Sequence, residues 1–332
     1  MIQKPRILFF DILRIICVTL IVYTHYKFFW FNNVEGIDLN SLLFQNGSLY
    51  IYPKSIALVA VSGMIFVSGA VLEYNYKSIN NFLEYKLFIL KRFFRLYPIY
   101  WISLILGALL LLRLDAGQVY SGFTIILSMI KNPLVILGIG DNGINLMGWF
   151  IGTIFMLYLL FPLLSKIIRK NPHVSIIAFA IITFSFRYFM FPVISFEWLR
   201  VIPLYNLFEF GLGIYCVQLK LYPKNTHEFP HISKLADFTF YVFLFHLIIF
   251  QLFTPNDILF LISTPVINNS LTTHVFWIGE NLMSNQVLNY AFALADVIVV
   301  SAIAMALDKK IQKIIRKKLF PANSEKSDYK NR

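Results

Sequence analysis

Apolar runs long enough to cross a bilayer recur from one end of this sequence to the other, and they leave very few folds open. A spanning helix needs about 20 predominantly apolar residues. Runs of that kind occupy 7–31, 52–73, 96–114, 146–168, 174–192, 201–219, 236–254 and 287–307. Two weaker stretches, 120–139 and 258–282, are broken by polar residues or proline and read as short spans, re-entrant pieces or surface helices. With only 14% of its 332 residues charged, the chain lacks the polar shell that a soluble protein of this size needs. The expectation is an all-α, polytopic transmembrane bundle of about ten helices, eight strong and two weak. It forms a single membrane domain over 1–320, and the polar tail 321–332 has the composition of a disordered segment.

The net charge of +12 points to topology and not to nucleic acid, because Lys and Arg gather at the ends of the apolar runs. With a cytoplasmic N-terminus, the inside segments are 1–6, 74–95, 165–173, 220–234 and 308–332. They hold 22 of the 29 Lys and Arg, whereas the outside loops 32–51 and 255–286 hold none. The positive-inside rule then puts both termini in the cytoplasm and requires an even number of crossings. Aromatic clusters at 28–31 and 97–101 mark the water interfaces. The first run contains Asp11 and Arg14 and no small-residue cleavage site, so it reads as a retained span. Cys17 and Cys216 sit in apolar runs as small buried side chains, and no metal-ligand spacing is visible.

Arg14 and His25 interrupt the first run. Eleven residues at 100° each amount to three turns and about 20°, so both project from one helix face, separated by about 16 Å along the axis. Arg14 falls roughly 10 Å into the membrane and His25 roughly 27 Å along it, beneath the outer aromatic belt. Asp11, one turn before Arg14, can partly neutralise it. The bland alternative is an arginine that snorkels to the headgroups and a wet interfacial histidine. Against it, a charge within a span costs about 2.5–3.5 kcal/mol on insertion scales, so intramembrane charges usually serve a site. This pair fits a passage with an anionic partner held near the cytoplasm and a proton acceptor near the outer leaflet.

Between the second and third runs, "NFLEYKLFILKRFFRLYPIYW" gathers Lys91, Arg92 and Arg95 within about 100° of helical arc. On the cytoplasmic side such a segment can rest at the interface, its three cations suited to a ligand with several phosphates. Plain positive-inside topology and anionic lipid contact explain the same charges. Gly69 in "FVSGA" suits close helix packing, with Ser68 beside it as a weaker lining candidate. His246, at the end of "DFTFYVFLFH", is a second histidine within a span and is equally suited to interhelical hydrogen bonding or to chemistry.

Taken in order, these pieces resemble membrane-bound acyltransferase family 3, the integral-membrane O-acyltransferases. "DILRIICVTLIVYTH" is similar to the family's Asp-x-x-Arg followed by ten residues and a His. "FVSGAVL" resembles its Ser-Gly motif, "KRFFRLYPIYW" its Arg-x-x-Arg-Leu-Tyr-Pro-x-Tyr-Trp signature, "WFIGTIFMLYLLFPLL" its Trp-containing span, and "LADFTFYVFLFH" its late His motif. At 151–154 the chain carries Ile-Gly-Thr-Ile where many members have Ser-Val-Glu-Glu, and the resemblance is to the short, stand-alone branch, expected to carry no appended hydrolase-like domain.

The resemblance implies about ten helices, a cytoplasmic acyl-CoA donor (acetyl-CoA being the expected one) that is a co-substrate and not a tightly bound cofactor, and an acceptor hydroxyl on a surface glycan or lipid-linked saccharide. Carried over by position, it implies His25 and Arg14 as the catalytic pair. Arg14, Lys91, Arg92 and Arg95 would bind the donor, and Asp11, Ser68, Tyr97, Trp149 and His246 would line or support the site. No metal is implied. The rival class is a transporter or flippase for a glycan or small solute, which would move its substrate without consuming CoA. A third reading is a member of the family without activity.

Overall fold

Each of the eight strong runs becomes a helix in a computed structural model that describes residues 6–34, 53–76, 79–114, 136–139, 145, 147–194, 196–223, 229–250 and 286–319. In chain order the elements are α1 Leu8–Val34, α2 Pro53–Asn75, α3 Phe82–Leu114, α4 Gly148–Lys170, α5 Pro172–Met190, the single turn α6 Phe196–Leu199, a 3-10 turn Pro203–Asn206, α7 Leu207–Gln218, α8 Pro230–Phe250 and α9 Gln286–Leu319. The described residues contain no strand. Six of these helices are long and apolar enough to cross a membrane by their described residues. The stretch 258–282, most of 120–139, the tail 321–332 and the side chains of 28–31 lie outside the described residues.

One expected span and the basic stretch take a different form. The run 201–219 yields only the 12 residues of α7, about 18 Å of helix, against the ~30 Å of a bilayer core. Pro203 brings no N–H into the helix ladder, and the Asn206 side chain donates to the Arg200 carbonyl at 2.8 Å. Residues 200–206 are therefore drawn into a loop. Conversely, the basic stretch is no separate surface helix. It forms the first half of α3, 33 residues that run on through Pro98 for about 50 Å.

The exterior is apolar where lipid would touch it. Phe9, Ile12, Ile16, Leu20 and Tyr23 on α1, Val174, Ile177, Ile181, Phe184 and Tyr188 on α5, and Phe292, Val299, Ile303 and Leu307 on α9 are all exposed. The core is dense with aromatic rings, and it takes in residues expected at the water interface. Tyr97 and Tyr100 are among the most buried side chains. Tyr97 stacks on Phe93 at 4.5 Å and donates to the Leu137 carbonyl at 3.0 Å, and Trp101 donates to the Ile136 carbonyl at 3.0 Å. The segment 136–139 gives these donors acceptors inside the protein. It lies close against α4: Gly138 holds φ +71°, and a Cβ at Gly152 would run into the Gly138 carbonyl.

Small residues set the nearest helix approach. A Cβ on Gly69 of α2 would strike the Phe210 carbonyl, and one on Gly213 of α7 would strike the Phe66 carbonyl, the close packing expected of "FVSGA". At one end of the bundle, Glu73 of α2 accepts from Ser165 (2.6 Å) and Arg169 (2.7 Å) of α4 and from Gln218 (3.1 Å) of α7. These bonds tie three helices together.

Helix directions follow from paired contacts. Ser233 meets Asp11 and His246 meets His25, so α1 and α8 run parallel, in step. Tyr290 packs on Tyr26 and Asp308 on Tyr241, so α9 runs against both. Phe88 packs on Phe161 and Phe93 on Phe155, so α3 and α4 are antiparallel. One end of the bundle therefore gathers Arg6, the start of α3, Arg169 and the basic last turns of α9; we call it the basic end. His25 and His246 lie toward the opposite, imidazole end.

Candidate active site

The two polar residues of α1 face inward. At about 100° per residue, Arg14 and His25 lie roughly 160–180° from the centre of the lipid-exposed face formed by Phe9, Ile12, Ile16, Leu20 and Tyr23. The shared stripe expected from their spacing is turned into the protein.

Near the basic end, Asp11 accepts its hydrogen bonds from residues other than Arg14 and acts on Arg14 through its charge alone. Its carboxylate, 4% exposed, takes two hydrogen bonds from Arg6 at 2.7 and 3.0 Å and one from Ser233 at 2.9 Å. Arg6 also reaches Asp237 of α8 at 2.8 Å. Arg6 precedes the helix and can fold back over it, whereas Arg14, fixed one turn on, points elsewhere. Arg14 donates no hydrogen bond among the described residues and lies within the electrostatic reach of Asp11, Asp237 and Tyr158. The cation that the sequence pairs internally with Asp11 is thus left to face the bundle interior.

Arg92 turns toward the same region from α3. It donates to the Tyr76 hydroxyl at 2.8 Å, and its guanidinium carbon lies 5.0, 5.7 and 6.0 Å from the ring centres of Tyr76, Phe88 and Tyr158. Rings stacked around a guanidinium hold its plane while leaving edge N–H groups for an anion. Tyr158 is thus approached from α1 and α3 at once. Lys91 and Arg95 are exposed, so the basic trio divides into one inward and two outward cations. Arg95 lies near Tyr241, whose hydroxyl donates to the buried Asp308 at 2.7 Å. Ser68 is half-buried on α2.

Toward the imidazole end, His25 Nδ1 is 2.8 Å from His246 Nε2, with ring centres 5.1 Å apart and planes inclined by 18°. His246 is fully buried, enclosed by Phe243 and Phe250. Its Nδ1 lies 2.7 Å from the Phe243 carbonyl and 3.2 Å from that of Val242. A carbonyl only accepts, so His246 Nδ1 carries the proton and, in the neutral ring, Nε2 is the acceptor. His25 Nδ1–H must then donate to it. The remaining nitrogen, His25 Nε2, keeps its lone pair. A backbone carbonyl on α8 thus sets the tautomer of a ring on α1, the arrangement that a general base needs.

One residue within electrostatic reach of His25 had no part in the sequence reading. Arg200, between α6 and the 3-10 turn, holds its guanidinium carbon 4.5 Å from the centre of the Trp149 ring, and its charge reaches His25. Thr153, in the stretch where relatives are expected to carry glutamates, is fully buried; its hydroxyl lies 2.8 Å from the Trp149 carbonyl and 3.1 Å from the Arg200 carbonyl, so its single O–H is shared between them. The sequence did carry a signal: Arg200 is a lone cation between apolar runs, on the side where the charge count expects few.

Comparison with known proteins follows this geometry. The family model described as an acyltransferase domain, the acyltransferase family 3 model, matches residues 7–230. It covers α1 to α7 and stops where α8 begins, so the place of His246 rests on its contact with His25. No curated protein and no solved structure matches the chain.

Proposed function

Because the chain belongs to acyltransferase family 3, its model matching residues 7–230, and is a multi-pass membrane acyltransferase, we propose that it moves an acyl group, acetyl being the expected one, from cytoplasmic acyl-CoA to a hydroxyl of a surface glycan or lipid-linked saccharide. The basic end faces the cytoplasm, where the positive-inside rule puts its cations. Arg92, held by Tyr76, and Arg14 take the anionic parts of the donor from two sides of Tyr158. Lys91 and Arg95 act at the mouth. The thioester extends along the inward stripe of α1 toward His25.

The observation that carries this reading is the short contact between His25 and His246, with its fixed direction of donation. His25 Nε2 takes the proton of the acceptor hydroxyl as the oxygen adds to the thioester carbonyl. The tetrahedral intermediate collapses, the C–S bond breaks, and the CoA thiolate recovers the proton from His25. The products are an ester and free CoA thiol. General-base help of this kind contributes about 10²–10⁴-fold.

The test uses purified full-length protein in proteoliposomes containing membrane extract from the source organism, with labelled acetyl-CoA outside. The expected result is release of free thiol that depends on the extract, with label appearing in its saccharide or lipid fraction. Movement of extract components across the bilayer with no thiol release would replace the reading with that of a transporter.

A further inference from the structure

At the basic end, away from the candidate active site, α9 lies along α3 at a polar junction. The Gln312 side chain of α9 donates to the Phe94 carbonyl of α3 and, at 3.1 Å, to Asp308 one turn earlier on its own helix. Asp308 is 1% exposed and also takes the Tyr241 hydroxyl of α8 at 2.7 Å. The carboxylate of this junction is therefore turned inward and occupied.

Cations edge the seam that Gln312 closes. Around the axis of α9, Arg316 and Lys309 lie within about 60° of Gln312. On α3, Lys91 lies about 60° from Phe94, and Arg95 follows one turn after Lys91. All four are exposed. The two helices run in opposite directions, so the Gln312 contact sets Arg316 level with the turn that carries Lys91. Arg95, Lys309 and Arg316 form no ion pair among the described residues.

Farther toward the imidazole end, the same two faces become apolar. Ile105 and Leu109 lie within about 60° of Phe94, and Ile298 within about 40° of Gln312. They are 61%, 59% and 46% exposed. Ala302, also exposed, falls between Ile298 and the cations and keeps the α9 wall shallow.

A cationic foot below apolar walls matches an anionic amphiphile. A soluble polyanion suits the foot and leaves the walls uncovered, whereas a neutral lipid suits only the walls. We propose that the α3–α9 seam binds an anionic phospholipid of the leaflet at the basic end. Lys309 and Arg316 hold its phosphate, with Lys91 and Arg95 across the seam, and its acyl chains lie along Ile105, Leu109, Ile298 and Ala302. Basic pockets between spanning helices suit such head groups. Arg92, bonded to Tyr76, lies about 160° from Phe94 on α3, so lipid and donor approach α3 from different faces. Lys91 and Arg95 then stand between the lipid phosphate and the mouth of the donor site. The bound lipid fastens α9, which lies beyond the residues matched by the family model, to the helix that carries Arg92.

The test uses full-length protein, delipidated in neutral detergent, with phosphatidylglycerol, phosphatidylcholine or free CoA added and native mass spectrometry counting what is bound. Wild type is expected to retain phosphatidylglycerol in preference to phosphatidylcholine. Lys309→Gln combined with Arg316→Gln should bind it about tenfold or more weakly. Lys310→Gln combined with Lys317→Gln removes the same charge from a face about 140–160° away from Gln312, and should stay within about twofold of wild type. Ala302→Phe keeps every cation but fills the groove, and it too should lose the lipid. Equal weakening in the two double variants, or no preference for phosphatidylglycerol, overturns the site and leaves a diffuse surface charge. Displacement of the lipid by free CoA, with CoA binding lost in the Lys309→Gln, Arg316→Gln protein, overturns it in favour of a nucleotide site. Should that double variant fail to insert, Lys309→Gln alone and Ala302→Phe decide by the same lipid count.

Discussion

The two contacts between α1 and α8 use opposite physical chemistry. At the basic end, Arg6, Asp11, Ser233 and Asp237 join in a network of charge-assisted hydrogen bonds that ties the start of α1 to α8. Toward the imidazole end, two rings without a carboxylate partner among the described residues meet through one hydrogen bond, and one nitrogen remains unused. The first junction gains from being complete. The second is one bond short among the described residues, and the unused lone pair is the one that the proposed mechanism calls on. A network of the first kind fixes register, and in the proposed mechanism one of the second kind does chemistry in the register so fixed.

Breaking the imidazole contact at its reactive member is expected to have the largest effect. His25→Ala should lower acyl transfer about 10²–10⁴-fold while protein yield and melting temperature stay near wild type, as read by label transfer and a thermal-shift assay in detergent. Replacing the ring behind it should cost less and separates positioning from packing. His246→Phe keeps the aromatic volume but removes both hydrogen bonds, so His25 can adopt either tautomer; a kcat loss of roughly 10–100-fold with an unchanged KM is expected, at the low end of what a missing catalytic contact removes. His246→Gln offers an amide N–H to the Phe243 carbonyl and an amide oxygen to His25, and should recover part of that loss. Equal rates in the two variants would show that the ring matters only as filling.

The opposite junction should answer to stability and not to rate. Asp11→Ala leaves Arg6 and Ser233 without their shared acceptor, and a loss of about 1–3 kcal/mol is expected for such a partly buried network. Turnover per folded molecule should stay within about twofold of wild type. Chemical unfolding combined with active-fraction counting checks both numbers. A rate loss in Asp11→Ala as large as that of His246→Phe would erase the contrast between the ends.

Much of this was readable in the chain before folding. The run 7–31 became α1, and the 11-residue spacing of Arg14 and His25 put both on the face away from lipid, because helical periodicity is a local property. The Ser-Gly pair of α2 likewise marked a close backbone approach. What could not be read was which distant residues each side chain would meet. Nothing in the local sequence says that His25 will touch a ring 221 positions away, since that depends on how α1 and α8 pack. Helical spacing placed the Asp11 charge within reach of Arg14, but it could not show that the Asp11 hydrogen bonds would go to Arg6, just outside the helix, and to Ser233. Tyr97 and Tyr100 were read as interfacial because amphipathic rings favour that zone; the carbonyls of 136–139 gave the Tyr97 hydroxyl a better place inside. Arg200 escaped notice because the run after it looked like one span, whereas Pro203 and Asn206 bend the chain just beyond it.

The antiparallel packing of α3 on α4, and of α9 on α8, carries a rule of parity. Leu114 and Gly148 share one end of the bundle, and so do Phe250 and Gln286, so the described helices fix the side on which each of these connections both starts and finishes. A single extra crossing in either would invert everything after it. It would then carry the basic last turns of α9 to the end opposite Arg6, against the pull of the membrane's charge asymmetry.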